Sequence, residues 1–154
     1  METVRQAFEA WNAGDIDVEL MPLKNVEIAL QQVDAFNRRD VEGVVAYASP
    51  NVEWEDSMFW TEHVRTYRGR AELRDWVEKV LEPWETLRVR ADELAETTEG
   101  RVFARLSLTG RGKASGAVTE QHAWTVLWFA NGLCTRRRVF RDRDEALEAA
   151  GLSE

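Results

Sequence analysis

The order of hydrophobic patterns in this sequence predicts an α+β fold in which helices cover one face of a curved antiparallel sheet. Apolar residues recur at helical spacing through most of the first half of the chain. In the second half, apolar and polar residues alternate along segments that turn residues separate. Because the helices come first and the strands follow as a group, we expect separate layers of helix and sheet.

The composition indicates one acidic domain with an aromatic-rich interior. The 154 residues are enough for one core and too few for two ordinary domains, and seven Trp and six Phe must fill part of that core. With a net charge of -8 and a pI near 4.9, the protein is expected to be repelled by nucleic acid and by anionic membrane surfaces. Because Cys134 is the only cysteine and no secretion signal is recognisable, we expect a cytoplasmic protein without a disulfide.

Two amphipathic helices are predicted in residues 1–40. One contains Trp11 and the other contains Phe36, and the two segments end with similar residues. Either the first segment is an imperfect copy of the second, or the similarity between the two sequences arose by chance. We predict that residues 1–24 form an extra N-terminal helix with a linker around Pro22, and that residues 25–152 form the domain.

The next segments are expected to fold as a short helix, a strand, a loop and a helix. The helical pattern of residues 41–48 ends at Ser49-Pro50, and Val52–Asp56 alternates as a strand. Residues 57–68 have no regular pattern but carry bulky groups, which indicates a loop that folds over something apolar. Helical spacing returns in residues 71–81 and ends before Pro83.

Three hairpin turns and a final helix are predicted in the second half. Two of the turns are Glu99-Gly100 and Asn131-Gly132, and Asn131-Gly132 is a typical hairpin sequence. The glycine-rich segment Gly110–Gly116 joins two strands, so we interpret it as a turn and not as a phosphate-binding loop. Asp144 is expected to begin the last helix, and Gly151 to end it.

Five of these segments, in the same order, resemble the SnoaL-like branch of the nuclear transport factor 2-like superfamily. They are Asn37–Asp40 at a helix end, the strand Val52–Asp56, Tyr67–Gly69 before a helix, the hairpin Gly110–Gly116 and the ending Phe140–Leu152. The resemblance implies a cystatin-like α+β roll, in which a curved sheet wraps helices into a cone with a hollow for a small apolar molecule. It also implies a homodimer that forms through the outer face of the sheet.

The same resemblance implies the residues of the site. Asp56 coincides with the carboxylate that ketosteroid isomerases use to move a proton, while the oxyanion tyrosine of those enzymes is replaced by Gln32. Their protonated acid falls near Trp124 or Thr125, so the usual stabilisation of an enolate is missing. The expected pocket residues are Gln32, Trp54, Phe59, Trp60, His63, Tyr67, Trp124, Arg138 and Phe140.

Asp56 and His122 are the candidate catalytic residues. An aspartate beside Trp54 and Phe59 is partly desolvated, which favours a general base, but a strand-end aspartate also commonly caps the following loop. His122 shares a strand face with Trp124, and is either a second proton carrier or a packing residue.

The remaining polar residues add two expectations. Alternation places Arg136 and Arg138 on the face of Phe140, where one of them reaches an anionic ligand or pairs with a neighbouring acid. Two separated histidines and one cysteine give no zinc spacing, so we expect no metal and no cofactor.

The expected function is therefore small-molecule binding. If the protein is an enzyme, the resemblance implies an isomerase, cyclase or dehydratase that uses no cofactor. The alternatives are a non-catalytic binding protein and a dimeric interaction module whose interior is filled by its own side chains.

Overall fold

The computed structural model describes residues 2–3, 24–56 and 65–152. The elements in this part of the chain are β1 (Glu2–Thr3), α1 (Asn25–Asn37), α2 (Val41–Ala46), β2 (Ala48–Asp56), β3 (Arg65–Arg68), α3 (Gly69–Leu81), β4 (Trp84–Glu96), β5 (Val102–Gly112), β6 (Val118–Ala130), β7 (Leu133–Phe140) and α4 (Arg143–Ala150). The predicted α+β class is confirmed. Of the segment 1–24, predicted to form an N-terminal helix and linker, residues 1 and 4–23 lie outside the described residues, and Glu2–Thr3 form strand β1 rather than helix.

The strands form one curved sheet in the order β1-β4-β5-β6-β7-β2-β3. Neighbouring strands are antiparallel except for β2 and β7, which run parallel. The curved sheet that the sequence predicts is therefore mixed, with one parallel pair among antiparallel ones. The chain between β2 and β7 contains a helix and two hairpins, which is long enough for the crossover that a parallel pair requires.

Helices α1, α2 and α3 pack on one face of the sheet, which we call the inner face. In α3 the buried residues are Leu73, Trp76, Val77, Val80 and Leu81, and their spacing of three and four places them on one side of the helix. They join residues of α1, α2 and the strands in one apolar cluster. This cluster is the main core of the domain.

The opposite, outer face of the sheet is partly covered by α4. Ala146, Leu147 and Ala150 are buried there against Phe103 of β5 and Val126 of β6. Both faces of the central strands therefore carry apolar residues. Among the helices of the described segments, none is long and apolar enough to span a bilayer.

Three boundaries differ from the sequence prediction. Strand β2 begins at Ala48, because the ladder between β2 and β7 is irregular before Glu53 and tolerates Pro50 there. Strand β3 lies where a loop was predicted, because its pairing of Tyr67 with Trp54 depends on β2 and not on a local pattern. Helix α4 is capped by Asp142 rather than Asp144, with the Asp142 side chain accepting from the Asp144 N–H at 2.9 Å.

The turn between β6 and β7 agrees with its prediction. Asn131 and Gly132 have φ values of 53° and 78°, which is the left-handed geometry that a two-residue hairpin turn requires. Gly151, with φ of 82°, ends α4 as predicted.

Candidate functional site

A cavity of about 80 Å³ lies between the inner face of the sheet and helices α1, α2 and α3. Its wall is almost entirely apolar, and the three side chains in it with polar end groups other than indole are Gln32, Thr125 and Arg137. The described wall residues are Ala29, Leu30, Gln32, Val33, Phe36, Val44, Trp54, Trp76, Val89, Ala91, Leu94, Ala104, Leu106, Leu108, Thr125, Leu127 and Arg137.

Arg137 brings a positive charge to this wall. It is 5% exposed, and its guanidinium carbon lies 4.8 Å from the ring of Trp54 and 5.3 Å from the ring of Trp76. Its Nη1 donates to the backbone oxygen of Glu55 at 3.2 Å. Burial lowers the pKa of Arg137, although the nearby charge of Asp56 opposes that change. A guanidinium is effectively always protonated in proteins, so the side chain is a cation.

Asp56 lies beside the wall and is 0% exposed. The indole N–H of Trp76 donates to its Oδ2 at 2.8 Å, and its charge interacts with that of Arg137. Both of these partners line the cavity, whereas Asp56 is not among the described wall residues. The carboxylate is therefore buried and held by the wall rather than forming part of it.

Two polar atoms at the cavity have no hydrogen-bond partner among the described residues. They are Oε1 of Gln32 and Nε1 of Trp54, and both side chains line the cavity. Thr125, the other neutral polar residue of the wall, donates to the backbone oxygen of Ala104 at a long 3.5 Å. Both atoms are themselves fully buried, so they are unsatisfied within the core and are not exposed to the cavity.

Four of the expected pocket or catalytic residues lie on the outer face instead: His122, Trp124, Arg138 and Phe140. Successive side chains of a strand point to opposite faces, and Thr125, Leu127 and Arg137 line the cavity. These four residues therefore do not line the cavity, and the expectation that they belong to the site on the inner face is wrong. Alternation alone was misleading because α4 makes the outer face apolar as well.

His122 has its own partners on that outer face. Its Nδ1 lies 3.0 Å from the Ser107 hydroxyl, and its Nε2 lies 3.6 Å from a carboxylate oxygen of Glu120. The Ser107 hydroxyl also donates to Asp92. His122 therefore belongs to a polar group on the far side of the sheet from Asp56, which corrects the expectation that the two act together.

The other expected residues divide into three groups. Gln32 and Trp54 line the cavity. Tyr67 is buried in the inner core without lining the cavity. Phe59, Trp60 and His63 lie outside the described residues.

Sequence reasoning missed Arg137 and Trp76. Arg137 stands between the two arginines that alternation placed on one face, so the same alternation indicated that its side chain points the other way. Trp76 lies on the apolar side of a predicted helix, and nothing in the sequence indicates that its indole binds a carboxylate.

Solved structures share this fold. An uncharacterised cystatin-fold protein from Novosphingobium aromaticivorans is 19% identical, and the match covers 77% of this chain and 99% of that one with a TM-score of 0.66. A protein of unknown function described as NTF2-like, from Burkholderia pseudomallei, is 25% identical over 80% of this chain and 95% of its own, with a TM-score of 0.66. SalBIII, described as an epoxide hydrolase/cyclase-like enzyme with a role in pyran ring formation in the polyether salinomycin, is 21% identical over 75% of this chain and 88% of its own, with a TM-score of 0.64.

No curated protein matches the sequence. The sequence model of the SnoaL-like domain, however, matches residues 29–137, which is more than half of the chain. Together with the curved sheet and the helices on its inner face, this match shows that the protein belongs to the SnoaL-like domain family.

Proposed function

We propose that this protein binds a small organic molecule in the inner cavity. The observation that carries the proposal is the wall itself, which is apolar on almost every side and has one buried cation, Arg137. Ligand sites typically combine such apolar walls with a few polar groups that orient the ligand. An unfilled space in a core also loses dispersion contacts, so a fold that retains one gives up stability.

The volume of the cavity limits the ligand. An apolar cavity of roughly 150 Å³ accepts benzene. At about 80 Å³, the cavity of this protein takes up a molecule smaller than a benzene ring, or an equally small part of a larger molecule. Binding of a whole multi-ring compound requires wall residues to move.

Xenon tests the proposal without any assumption about polar groups, because it enters apolar cavities. Under xenon pressure, we expect the methyl resonances of the wall residues Leu106 and Leu127 to shift in NMR spectra. Ala104→Leu, which fills the cavity from the wall, should abolish the shifts. Ala130→Leu, at an exposed strand end, should leave them intact. Unchanged methyl resonances in the wild-type protein contradict ligand binding and favour an interaction module.

A second candidate function is cofactor-free proton transfer on the bound molecule, in an isomerase, cyclase or dehydratase with Asp56 as the acid-base residue. It is favoured by the complete burial of Asp56 beside two wall residues and by the description of the similar protein SalBIII as an epoxide hydrolase/cyclase-like enzyme. A general base must come within about 3 Å of the proton that it removes. Catalysis by Asp56 therefore requires Trp76 or Arg137 to move.

Hydrogen–deuterium exchange next to the carbonyl of butan-2-one separates the two candidates. An enzyme accelerates this exchange, and Asp56→Asn should then reduce the rate on the order of a hundredfold. Asp56→Glu is the second variant, for the case that Asp56→Asn impairs folding. It retains the charge beside Arg137 but displaces the carboxylate, so it should also slow the exchange. A wild-type protein that binds butan-2-one without accelerating the exchange is a binding protein.

We also propose that the protein is a homodimer formed through the outer face of the sheet. The aromatic side chains that support it are Trp124, Trp128 and Phe140, which α4 leaves only partly buried. Contact with a second copy removes more of their apolar surface from water.

A further inference from the structure

We infer that the ligand enters the inner cavity between the middle of α1 and β4, through a mouth that Val33 and Ala91 flank. A ligand larger than the cavity then has an apolar chain that leaves through the same mouth. This inference rests on the proposed binding function and specifies the route and the shape of the ligand.

The exposure of the wall residues indicates where the mouth lies. Val33 and Ala91 both line the cavity, and both are partly buried apolar residues packed against the main core. Every other wall residue in the described segments is buried. A molecule that comes from solvent therefore meets the wall first at these two side chains.

Helix α1 is fastened to β4 near both of its ends. Towards the N-terminus, the Val26 N–H donates to Oε1 of Glu96 at 2.8 Å. At the C-terminus, Nδ2 of Asn37 donates to the Val89 oxygen at 2.9 Å, and Oδ1 of Asn37 accepts from the Val89 N–H at 2.8 Å. These hydrogen bonds fix the direction and the position of the helix along the strand.

Val33 and Ala91 lie between these two points. Val33 follows the first contact of α1 by about two helical turns and precedes the second by about one. Ala91 is correspondingly closer to Val89 than to Glu96. The pairing of β4 with β5 also changes register between Ala91 and Glu93, and a bulge of this kind bends a strand. The strand therefore departs from regular geometry where it faces the middle of the helix.

The mouth and the cavity together indicate the shape of the ligand. Val33 and Ala91 are apolar, and the wall behind them is apolar on almost every side. A polar or charged group would lose its hydration between them, which is costly. Because the cavity of about 80 Å³ holds only a small part of a larger molecule, the rest extends through the mouth as an apolar chain.

Xenon exchange tests the mouth. Val33→Ala and Val44→Ala remove the same atoms from the cavity wall, but Val33 is partly exposed and Val44 is 2% exposed. In xenon saturation-transfer NMR, Val33→Ala should accelerate the exchange between bound and free xenon several-fold, because it widens the mouth. Val44→Ala enlarges the cavity away from the mouth and should leave the exchange rate nearly unchanged. Equal acceleration by both variants, or none by Val33→Ala, contradicts the mouth.

Octan-1-ol, which is much larger than the cavity, tests the protruding chain. Val33→Asp places a carboxylate beside that chain at nearly constant side-chain volume, and should weaken octan-1-ol binding on the order of tenfold in NMR titrations. Val118→Asp is the matched control at a 62% exposed residue that is not a described wall residue, and the affinity should persist. The xenon shifts of the Leu106 and Leu127 methyl groups establish that each variant retains its cavity. If Val33→Asp impairs folding, the xenon exchange of Val33→Ala decides.

The outcomes distinguish this inference from the proposed function. If xenon shifts the wall methyl resonances but the Val33 variants behave like their controls, or the wild-type protein does not bind octan-1-ol, the inference is wrong and the binding function stands. If xenon leaves the wall methyl resonances of the wild-type protein unchanged, both are wrong.

Discussion

Arg137 and Asp56 bring two opposite charges into the interior of the domain. Burial of either ion alone costs several kcal/mol, and the attraction between them offsets part of that cost. The Trp76 indole adds a hydrogen bond to the carboxylate, and the rings of Trp54 and Trp76 pack against the guanidinium. At the scale of single residues, the end of the cavity is therefore polar but nearly neutral.

This pairing predicts how substitutions combine. Arg137→Met should lower the free energy of unfolding by about 3–5 kcal/mol, because it leaves the Asp56 carboxylate buried without its partner. The double variant Asp56→Asn/Arg137→Met carries no buried charge at these positions, so it should lose much less. Urea denaturation at neutral pH measures both. Equal or greater destabilisation of the double variant would contradict the coupling.

The residues of the site were predictable only in part. Gln32 was expected only from the family resemblance, whereas Trp54 also lies in a strand whose alternation the sequence defines well. Arg137 was not predicted, because three consecutive arginines on a strand define which side chains share a face but not which face is covered. The contacts of Asp56 with Trp76 and Arg137 join β2, α3 and β7, which are far apart in the sequence.

At the scale of elements, α4 decides how the sheet is covered. It begins at Asp142, whose side chain accepts from the Asp144 N–H, and it ends at Gly151 in left-handed geometry. Between these caps, one side of the helix places Leu147 on the outer face of the sheet. Because a helix this short is only marginally stable by itself, its two caps make an important contribution to its stability.

Asp142→Ala should therefore lower the free energy of unfolding by about 1 kcal/mol, since it removes the acceptor at the N-terminus of α4. Glu148→Ala is the matched control. It changes an exposed side chain in the same helix, and near the C-terminus an acidic residue is unfavourable, so little loss is expected. Thermal denaturation of the two variants makes the comparison. Equal effects of both substitutions would show that the cap is not needed.

The sequence predicted those elements in which apolar residues recur at a clear helical or strand spacing. Helix α3 and the strands β5 to β7 agree closely with their apolar spacing and turn residues. Strand β3 and the parallel pairing of β2 with β7 were not predictable in this way, since both depend on strands that come together only after the chain has folded back.

At the scale of the whole molecule, the two faces of the sheet have different surroundings. The inner face is enclosed by three helices around the cavity, while the outer face has one short helix. Beyond α4, the rings of Trp124, Trp128 and Phe140 remain partly buried, and Arg136 packs over Trp128 at 5.1 Å. Aromatic and arginine side chains together are typical of protein interfaces.

A homodimer through this face predicts a specific response to substitution at Trp128. Sedimentation equilibrium should give twice the chain mass of 17.7 kDa for the wild-type protein. Trp128→Gln should weaken association on the order of tenfold or more, because truncating a tryptophan at an interface centre costs about 2 kcal/mol. Val118→Gln is the control, since Val118 is 62% exposed on the same strand and face but at its opposite end. A wild-type protein that sediments as a monomer at all concentrations, or equal weakening by both variants, contradicts an interface centred on Trp128.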